Sequence, residues 1–299
     1  MLTKNNKNVL ITGISGFTGQ YMASELADAG YTIFGLSSQP SCDPNCYQVD
    51  LLDSSSIRRI IEEVQPHIVV HLAAITFVDH SDINAFYNVN VVGSRNLLAA
   101  ISDVGNNVES ILLASSANIY GNTTSGILSE DSNVNPANDY AVSKLAMELM
   151  AKLWMDKLPI IIARPFNYTG VGQSENFLLP KIVSHFKRKE TSIELGNIDV
   201  WRDFTDVRSL VKAYHLLLEN KKSFGEIINI CTGNAHSLRD IISMCERITS
   251  HKLDIHVNSK LVRVNEIKIL CGDANKLHNI IGNWNSLQLD DTLHWMLTA

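Results

Sequence analysis

The chain has no long apolar run. None of its segments reaches the roughly 20 consecutive apolar residues that a membrane-spanning helix needs. The amino-terminal segment is rich in Lys and Asn, and the apolar run at residues 9–11 is too short for the core of a signal peptide. We therefore expect no membrane partner and a cytoplasmic location.

Cysteine is scarce, and the number of cysteines, five, is odd. Only Cys42 and Cys46 lie close together, and their spacing predicts a zinc site only when a second ligand pair accompanies it. The sequence therefore predicts ordinary reduced thiols rather than a disulfide framework, and no metal site.

The chain also lacks an excess of positive charge. It has 25 Lys and Arg residues against 31 Asp and Glu residues, a formal net charge of -6, and the basic residues are scattered. This balance predicts no nucleic-acid partner. The 299 residues are 45% hydrophobic, which is enough to bury a large core and a smaller second lobe.

Short runs rich in Val and Ile alternate with segments of helical period through the first half of the chain. This alternation is typical of strand-helix-strand units and predicts an α/β fold, a Rossmann-type doubly wound parallel sheet. The predicted strands are residues 9–12, 32–36, 47–49, 68–72, 110–114 and 160–163, and the predicted helices are residues 18–29, 54–64, 83–102 and 140–157.

The alternation of strand and helix patterns ends after residue 165, where a Gly-rich stretch begins. We read the remainder as a smaller C-terminal α/β substrate lobe that interrupts the sheet domain. The predicted division assigns residues 1–165 and 204–232 to the dinucleotide-binding domain, and residues 166–203 and 233–299 to the second lobe.

Three glycines follow the first predicted strand, in a GxxGxxG turn that leads into a helix. Gly13 permits the tight turn, Gly16 lets the backbone approach a pyrophosphate, and Gly19 lets the helix pack on the strand. Phe17 and Thr18 then lie in the first turn of that helix, whose free N–H groups favour an anion. The turn predicts dinucleotide binding.

The residues after the second predicted strand bear on the choice of dinucleotide. NAD-specific sites usually carry an Asp or Glu there, but this chain has Ser37 and Ser38. Without a carboxylate to repel a 2'-phosphate, NADP(H) is favoured over NAD(H). Asp50 is a candidate contact for the adenine, with a helix cap as the alternative, a role that fits Asp53 better.

Tyr140 and Lys144 lie four residues apart at the start of a predicted helix, and therefore on one face. A phenol has a pKa of ~10, and a neighbouring ammonium should lower that pKa and make the hydroxyl a usable acid and base. The spacing alone is common, so the prediction depends on its companions.

Two polar residues accompany this pair. Ser116 follows the fifth predicted strand, at the sheet edge where sites of parallel sheets form, and its hydroxyl can polarise a carbonyl or simply close a turn. Asn90 lies within a mostly apolar helix, where it either holds a water behind Lys144 or is a satisfied core amide.

Together these motifs resemble the extended short-chain dehydrogenase/reductase family, in the family's order and over essentially the whole chain. The likeness includes the HLAA segment after the fourth strand, NVxG at Asn90 and the RPFN segment at 164–167. It implies Tyr140 as the acid-base, Lys144 as its modulator and ribose ligand, Ser116 as the carbonyl polariser and Asn90 as part of a proton relay. It also implies further cofactor contacts, at Leu51, Leu72, Ala73, Ala74 and Arg164.

The second half of the chain is similar to the nucleotide-sugar branch of that family. The resemblance implies a nucleotide-diphosphate sugar as the substrate, and the arginines among the matching residues suit the diphosphate. The preference for a GDP-linked sugar rests on the resemblance alone. The positions that it marks for the substrate are Thr76, Ser116, Asn118, Asn167, Asn176, Arg202, Arg263 and Glu266.

Departures from the family pattern narrow the reaction. Dehydratases of the branch have an acidic residue where this chain has Asn118, and an amide cannot abstract the sugar C5 proton. Reduction of a 4-keto group is then the leading expectation, 4-epimerisation with a tightly bound NAD the second, and a non-enzymatic cofactor sensor a third. Asn138 also stands near the position where relatives commonly have Pro.

The two long predicted helices at 83–102 and 140–157 carry apolar residues around much of their circumference. One face of each can cover the sheet, and the other needs a further partner. The resemblance implies a homodimer through a four-helix bundle built from these two helices of each subunit.

Overall fold

The computed structural model describes residues 7–76, 82–121, 126–259, 268–282 and 284–299. In chain order, the strands among these residues are β1 (Asn8–Thr12), β2 (Thr32–Ser37), β3 (Cys46–Gln48), β4 (Ile68–His71), β5 (Ser110–Ala114), β6 (Ile127–Leu128), β7 (Ile160–Pro165), β8 (Asn167–Thr169), β9 (Ser192–Leu195), β10 (Trp201–Asp206), β11 (Ile227–Ile230), β12 (Ala235–Ser237), β13 (Asp254–Val257) and β14 (Ile269–Gly272).

The helices of the same part of the chain alternate with these strands. They are α1 (Phe17–Asp28), α2 (Ser54–Val64), α3 (Ile83–Tyr87), α4 (Ser94–Val104), α5 (Asp139–Lys152), α6 (Leu178–Lys187), α7 (Val207–Leu218), α8 (Leu238–Thr249), α9 (Asn275–Ile281) and α10 (Leu289–Thr298). A π-helical segment, Asn88–Gly93, joins α3 to α4, and short 3-10 turns lie at Ala117–Tyr120 and Lys221–Ser223.

The large sheet has seven parallel strands in the order β11-β7-β5-β4-β1-β2-β3. The strand β1 lies between β2 and β4, so the chain reverses its direction of winding beside β1. Ligands of such sheets bind at the carboxyl ends of the strands at this switch point. The predicted doubly wound parallel sheet is confirmed.

The strands of the large sheet are apolar on both sides because helices cover both faces. Val9 and Ile11 of β1 pack into one core with α1 and α7, whereas Leu10 between them packs into a second core with α2, α4 and α5. All three side chains are fully buried. The alternation of strand side chains thus explains why the predicted strands read as continuous apolar runs.

A smaller α/β assembly follows the large sheet. Its main sheet has the order β12-β10-β14-β6, with β8 also paired to β10, and β13 pairs with β9 in a separate ladder. The helices α6, α8 and α10 share one apolar core with residues of β9 and β10. The strand β6 comes from the segment assigned to the first domain, and the predicted domain boundaries stay a prediction.

Two predicted helices differ from the observed ones. The helix predicted over 83–102 contains the π-helical turn Asn88–Gly93, and the helix predicted over 140–157 ends at Lys152. π-Helical turns inside α-helices often occur at functional sites. Along the described ranges, no helix combines the length and apolar character required to cross a bilayer.

Candidate active site

The glycine turn lies between β1 and α1 at the switch point. Gly13 has a φ of +70°, and a Cβ there would lie 2.8 Å from the backbone N of Ala73. A Cβ on Gly19 would lie 2.2 Å from the Gly13 carbonyl oxygen, whereas one on Gly16 would meet only that oxygen, at 3.2 Å. Gly13 and Gly19 are therefore required by the fold, and Gly16 leaves space that a ligand can fill.

The start of α1 is well placed for an anion. Gly16 precedes α1 and has no side chain that could cap the helix. The N–H groups in the first turn of α1 therefore remain available to a pyrophosphate. Thr18 hydrogen-bonds with the hydroxyl of Tyr168 on β8 over 2.9 Å, and the ring of Phe17 stacks with that of Tyr168 at 6.2 Å. These contacts join the turn to the smaller assembly.

The predicted dinucleotide-selecting residues lie at the carboxyl end of β2. Ser37 is buried, hydrogen-bonds with the Ser15 hydroxyl over 2.9 Å and accepts the N–H of Gln39. Ser38 is exposed. Of the two serines, Ser38 is the one whose hydroxyl is free to reach a 2'-phosphate.

The loop after β3 contains both acidic candidates. Asp50 is exposed and its carboxylate accepts the Leu52 N–H over 2.9 Å, while Leu51 is buried against the core. Asp53 caps α2 by accepting the Ser56 N–H, and this bond together with that from Ser55 lowers the pKa of Asp53 to about 2. The interpretation of Asp53 as a helix cap is confirmed.

The carboxyl end of β4 is held by a buried hydrogen-bond chain. Burial lowers the pKa of His71 to about 3, so its ring is neutral. Ser94 donates its hydroxyl to the Asn90 carbonyl and therefore accepts from Nε2 of His71 over 2.7 Å. Nδ1 of His71 then accepts from Thr12 over 2.7 Å, and Thr12 accepts the N–H of Ala73. This chain fixes the HLAA segment beside the glycine turn.

His67 and His71 form an HxxxH spacing, which on a helix would favour a metal. Here the spacing falls along a strand, where residues four apart are separated by about 13 Å. Nδ1 of His67 also accepts the backbone N–H of Asn8 over 3.1 Å. The spacing therefore reflects the ends of β4 rather than a pair of ligands.

Asn90 lies in the π-helical turn and is fully buried. Its amide oxygen accepts the Ile75 N–H over 2.9 Å, and its amide nitrogen donates to the Ile75 carbonyl and to Ser143 on α5 over 3.0 Å. The amide is thus satisfied inside the core, as one of the two interpretations predicts, and the role of holding a water behind Lys144 stays a prediction. The amide holds the backbone next to Thr76, which is exposed.

Tyr140 and Ser116 meet at the carboxyl end of β5. Tyr140 lies in the first turn of α5 and its hydroxyl hydrogen-bonds with that of Ser116. Burial raises the pKa of Tyr140 well above its ordinary value of 10.0, and the Ser116 bond only partly offsets this. The expectation that Lys144 lowers this pKa is therefore wrong in this geometry, and Tyr140 is a firmly protonated donor.

Lys144 is directed at the backbone rather than at Tyr140. Its Nζ donates to the Ala114 carbonyl over 2.7 Å, and its side chain is buried. Burial lowers the pKa of Lys144 to about 8, while the charge of Glu148 acts in the opposite direction. The ammonium is thus fixed at the end of β5, one helical turn from Tyr140.

Ser116 serves in a turn as well as in the site. Its hydroxyl accepts the Asn118 N–H over 3.1 Å and so caps the 3-10 turn Ala117–Tyr120. The interpretation of Ser116 as a residue that closes a turn is confirmed, and its role as carbonyl polariser stays a prediction. Asn118 is half-buried, where the dehydratases of the resembled branch have their acid.

Arg164 was expected at the cofactor, but the structure places it in a buried ion pair. It binds Glu148 through Nε over 3.0 Å and through Nη2 over 2.7 Å, and it also donates to Tyr120 and to the Glu130 carbonyl. Four of its five N–H groups are used inside the protein. Glu148 is a buried partner that no sequence motif marked, although its spacing of four from Lys144 signals a shared helix face.

Three of the predicted substrate residues, Asn167, Asn176 and Arg202, lie on or beside elements of the smaller assembly. Asn167 on β8 donates to the Asp203 carbonyl over 3.4 Å, and Asn176 is exposed ahead of α6. Arg202 on β10 donates to the Trp201 carbonyl over 2.8 Å. Arg263 and Glu266 lie outside the described residues.

The glycine turn, the free start of α1 and the Ser116–Tyr140–Lys144 group converge on the same edge of a parallel sheet. Such an arrangement defines a dinucleotide-dependent oxidoreductase, in which the cofactor supplies or takes the hydride and the protein orients and polarises. The model of the NAD dependent epimerase/dehydratase family matches residues 9–231, and the chain belongs to that family.

Two relatives indicate the nucleotide-sugar branch of the family. GDP-6-deoxy-D-talose 4-dehydrogenase from Aggregatibacter actinomycetemcomitans is 37% identical over 278 residues, covering 92% of this chain and 91% of that protein. GDP-6-deoxy-D-mannose reductase from Pseudomonas aeruginosa is 30% identical over 303 residues, covering 98% and 96%. The chain is thus an enzyme of the nucleotide-sugar-modifying kind.

Solved structures agree with this assignment. A Burkholderia cenocepacia J2315 protein described as a candidate epimerase superposes with a TM-score of 0.92 at 46% identity, covering 99% of this chain and 98% of that one. RMD from Pseudomonas aeruginosa complexed with NADPH superposes with a TM-score of 0.86 at 30% identity, covering 98% and 97%.

Proposed function

We propose that this enzyme uses NADPH to reduce the 4-keto group of a GDP-linked 4-keto-6-deoxy sugar, most simply GDP-4-keto-6-deoxy-mannose. The observation that carries the proposal is the hydrogen bond between Ser116 and a protonated Tyr140 beside the glycine turn. The names of both relatives place their chemistry on GDP-linked 6-deoxyhexoses, and one names a 4-dehydrogenase. Asn118 supplies no base for elimination of water.

The residues divide the reaction between them. Tyr140 donates its proton to the oxygen that develops negative charge, and Ser116 donates a hydrogen bond to the same oxygen. Lys144 provides a fixed positive charge behind Tyr140 and a ligand for the nicotinamide ribose. Reduced nicotinamide supplies the hydride when bound.

Substrate recognition belongs to the smaller assembly. Arg202 and Asn176 are proposed to bind the nucleoside diphosphate, together with Arg263 and Glu266 of the undescribed segment. Asn167 is proposed to contact the sugar beside the nicotinamide. Arg202 supports this role because its guanidinium can bind phosphate oxygens in a bidentate manner.

A panel of nucleotide-linked 4-keto-6-deoxy sugars tests the proposal. With NADPH present, we expect the GDP-linked sugar to react fastest and to consume one NADPH per molecule. The likeness to a protein described as an epimerase keeps a 4-epimerase as the second candidate. Conversion without net NADPH consumption would favour that epimerase and contradict the reductase.

NADPH is expected to bind more tightly than NADH. The segment after β2 reads SSQPS at residues 37–41, with no carboxylate to repel the 2'-phosphate. Replacing the exposed Ser38 with Asp should weaken NADPH relative to NADH by about fivefold, because a repulsion between two unit charges ~4 Å apart and fully screened by water costs about 1 kcal/mol. Titration by nucleotide fluorescence measures both, and a clear NADH preference in the wild type would refute the assignment.

The assembly is proposed to be a homodimer through a four-helix bundle. Leu149 and Leu153 at the end of α5 are 56% and 79% exposed, and Val92 in the π-helical turn is 43% exposed. Leu149→Glu should place a charge in that interface and halve the mass measured by light scattering. Leu287→Glu, at another exposed leucine, is the matched control. A monomeric mass for the wild type would contradict the dimer.

A further inference from the structure

A buried carboxylate shares a helix face with the two proposed acid-base residues. Tyr140, Lys144 and Glu148 follow one another at intervals of four residues along α5, so their side chains lie above one another. Glu148 is only 1% exposed. An unpaired charge at such a depth would be strongly destabilising, so its partners determine what it does.

Both carboxylate oxygens of Glu148 bind side chains from other elements. Arg164, on β7, donates to Oε1 from Nε and to Oε2 from Nη2. Ser115, just beyond β5, donates its hydroxyl to Oε1 over 2.5 Å. One carboxylate therefore joins α5 to the carboxyl ends of two neighbouring strands of the large sheet.

The hydrogen bond between Ser115 and Glu148 lies next to the residues that are proposed to act on the substrate. Ser115 lies between Ser116, which hydrogen-bonds with Tyr140, and Ala114, whose carbonyl accepts from Lys144. Its own backbone N–H is bonded to the Ala163 carbonyl on β7 over 2.7 Å. Movement of this segment would change both bonds at once.

The ion pair between Glu148 and Arg164 also holds the 3-10 turn Ala117–Tyr120, which Ser116 caps. Arg164 donates to the hydroxyl of Tyr120 over 2.9 Å, and Tyr120 donates to Asn229 on β11 over 2.7 Å. The guanidinium also lies 5.2 Å from the centre of the Tyr120 ring. The turn is therefore anchored at its far end as well.

Stability alone does not account for this pair. Replacing a buried ion pair with well-packed apolar residues of similar volume is often neutral or stabilising. We propose that Glu148, held by Arg164, is a positioning residue that fixes the end of β5 against α5, so that Ser116 and Lys144 stay aligned with Tyr140. The inference rests on the proposed roles of those three residues.

The charges around Lys144 give the proposal a second readout. Glu148 favours the ammonium, His71 from β4 is neutral, and burial keeps Tyr140 protonated. Arg164 faces Glu148 from β7. Because Glu148 is the group that raises the pKa of Lys144, loss of its charge should move that pKa below about 8.

Two variants test the proposal. Ser115→Ala removes only the hydroxyl that Glu148 accepts. The double variant Glu148→Met with Arg164→Met removes both charges together, because either single change would leave an unpaired buried charge. The matched control is Glu226→Met with Lys276→Met, which removes a partly exposed pair of 2.8 Å elsewhere.

Four quantities are measured for each variant: the midpoint of thermal unfolding, the Kd for NADPH, kcat with KM, and the pKa of Lys144. The last is followed by NMR with 13C at the lysine Cε, and the Lys144 signal is assigned with Lys144→Met. This titration requires no sugar substrate, so it remains informative if the proposed reaction is wrong.

We expect Ser115→Ala to lower kcat about tenfold and the double variant about 10²-fold, since small misplacements of reacting groups cost that much. KM and the unfolding midpoint should change little, and the pKa of Lys144 should fall in the double variant.

A folded double variant with wild-type kcat and an unchanged Lys144 titration would overturn the proposal. If the double variant does not fold, an unaltered kcat in Ser115→Ala overturns it. If the wild type reduces no sugar, the proposed function has failed, and an unchanged Lys144 titration alone then overturns the inference.

Discussion

Replacing Tyr140 with phenylalanine is expected to lower turnover by ~10² to 10⁴, the usual cost of losing a positioned proton donor. The change removes only the hydroxyl that bonds with Ser116 and keeps the ring that packs beside Phe86 at 6.3 Å. The Kd for NADPH and the unfolding midpoint should therefore stay close to wild type. Steady-state kinetics with the GDP-linked 4-keto sugar measures the effect.

Tyr47→Phe is the matched control for this change. Its hydroxyl donates to Glu63 over 2.8 Å at the protein surface, on the edge strand β3 and far in sequence from Ser116 and Lys144. We expect it to turn over like wild type. Should Tyr140→Phe reduce the sugar as fast as this control, Tyr140 is not the acid.

Gly16→Val is expected to abolish binding of both NADPH and NADH while the protein stays folded. A Cβ at Gly16 would meet one atom of the described residues within 4 Å, the Gly13 carbonyl oxygen at 3.2 Å, so the turn has to shift by only a few tenths of an ångström to accept a side chain. That side chain would occupy the space at the start of α1 that a pyrophosphate needs. Cofactor titration together with thermal unfolding separates the two effects.

Gly19→Val provides the contrast. Its Cβ would lie 2.2 Å from the Gly13 carbonyl oxygen, so the helix could not pack on the strand and the fold itself should be damaged. Wild-type cofactor affinity in Gly16→Val would show that the glycine turn does not hold the dinucleotide.

Local patterns in the sequence were sufficient to predict the sheet and the glycine turn. Apolar runs marked the buried strands, because each strand of a doubly covered sheet is apolar on both sides. The role of Asp53 as a cap also followed from its position just before a helix. These features depend on residues that are close in the sequence, so a single chain reveals them.

Features that depend on distant partners were not predictable. Arg164 lies on β7 in a motif that resembles a cofactor segment, yet its partner is Glu148 on the preceding helix. The resemblance implied a cofactor contact at this position, but only the packing of α5 against β7 shows that the guanidinium binds Glu148. The pairing of β6 with β14, far along the chain, was missed for the same reason.

The π-helical turn and the helix start of α5 show a further limit. Asn90 is fully satisfied because the turn brings its amide to the Ile75 backbone, and apolar periodicity does not encode such a turn. Asn138, which departs from the resembled pattern, caps α5 by accepting the Ala141 N–H over 2.9 Å. Its side chain thus sets where Tyr140 enters the helix.

Hydride transfer to C4 is the central claim, and isotope transfer tests it most directly. The enzyme would be incubated with NADPH deuterated at the transferring C4 position and with GDP-4-keto-6-deoxy-mannose, and the product analysed by mass spectrometry and NMR. We expect one deuterium per product molecule, located at C4 of the sugar, with one NADPH oxidised. A converted sugar that carries no deuterium would contradict it.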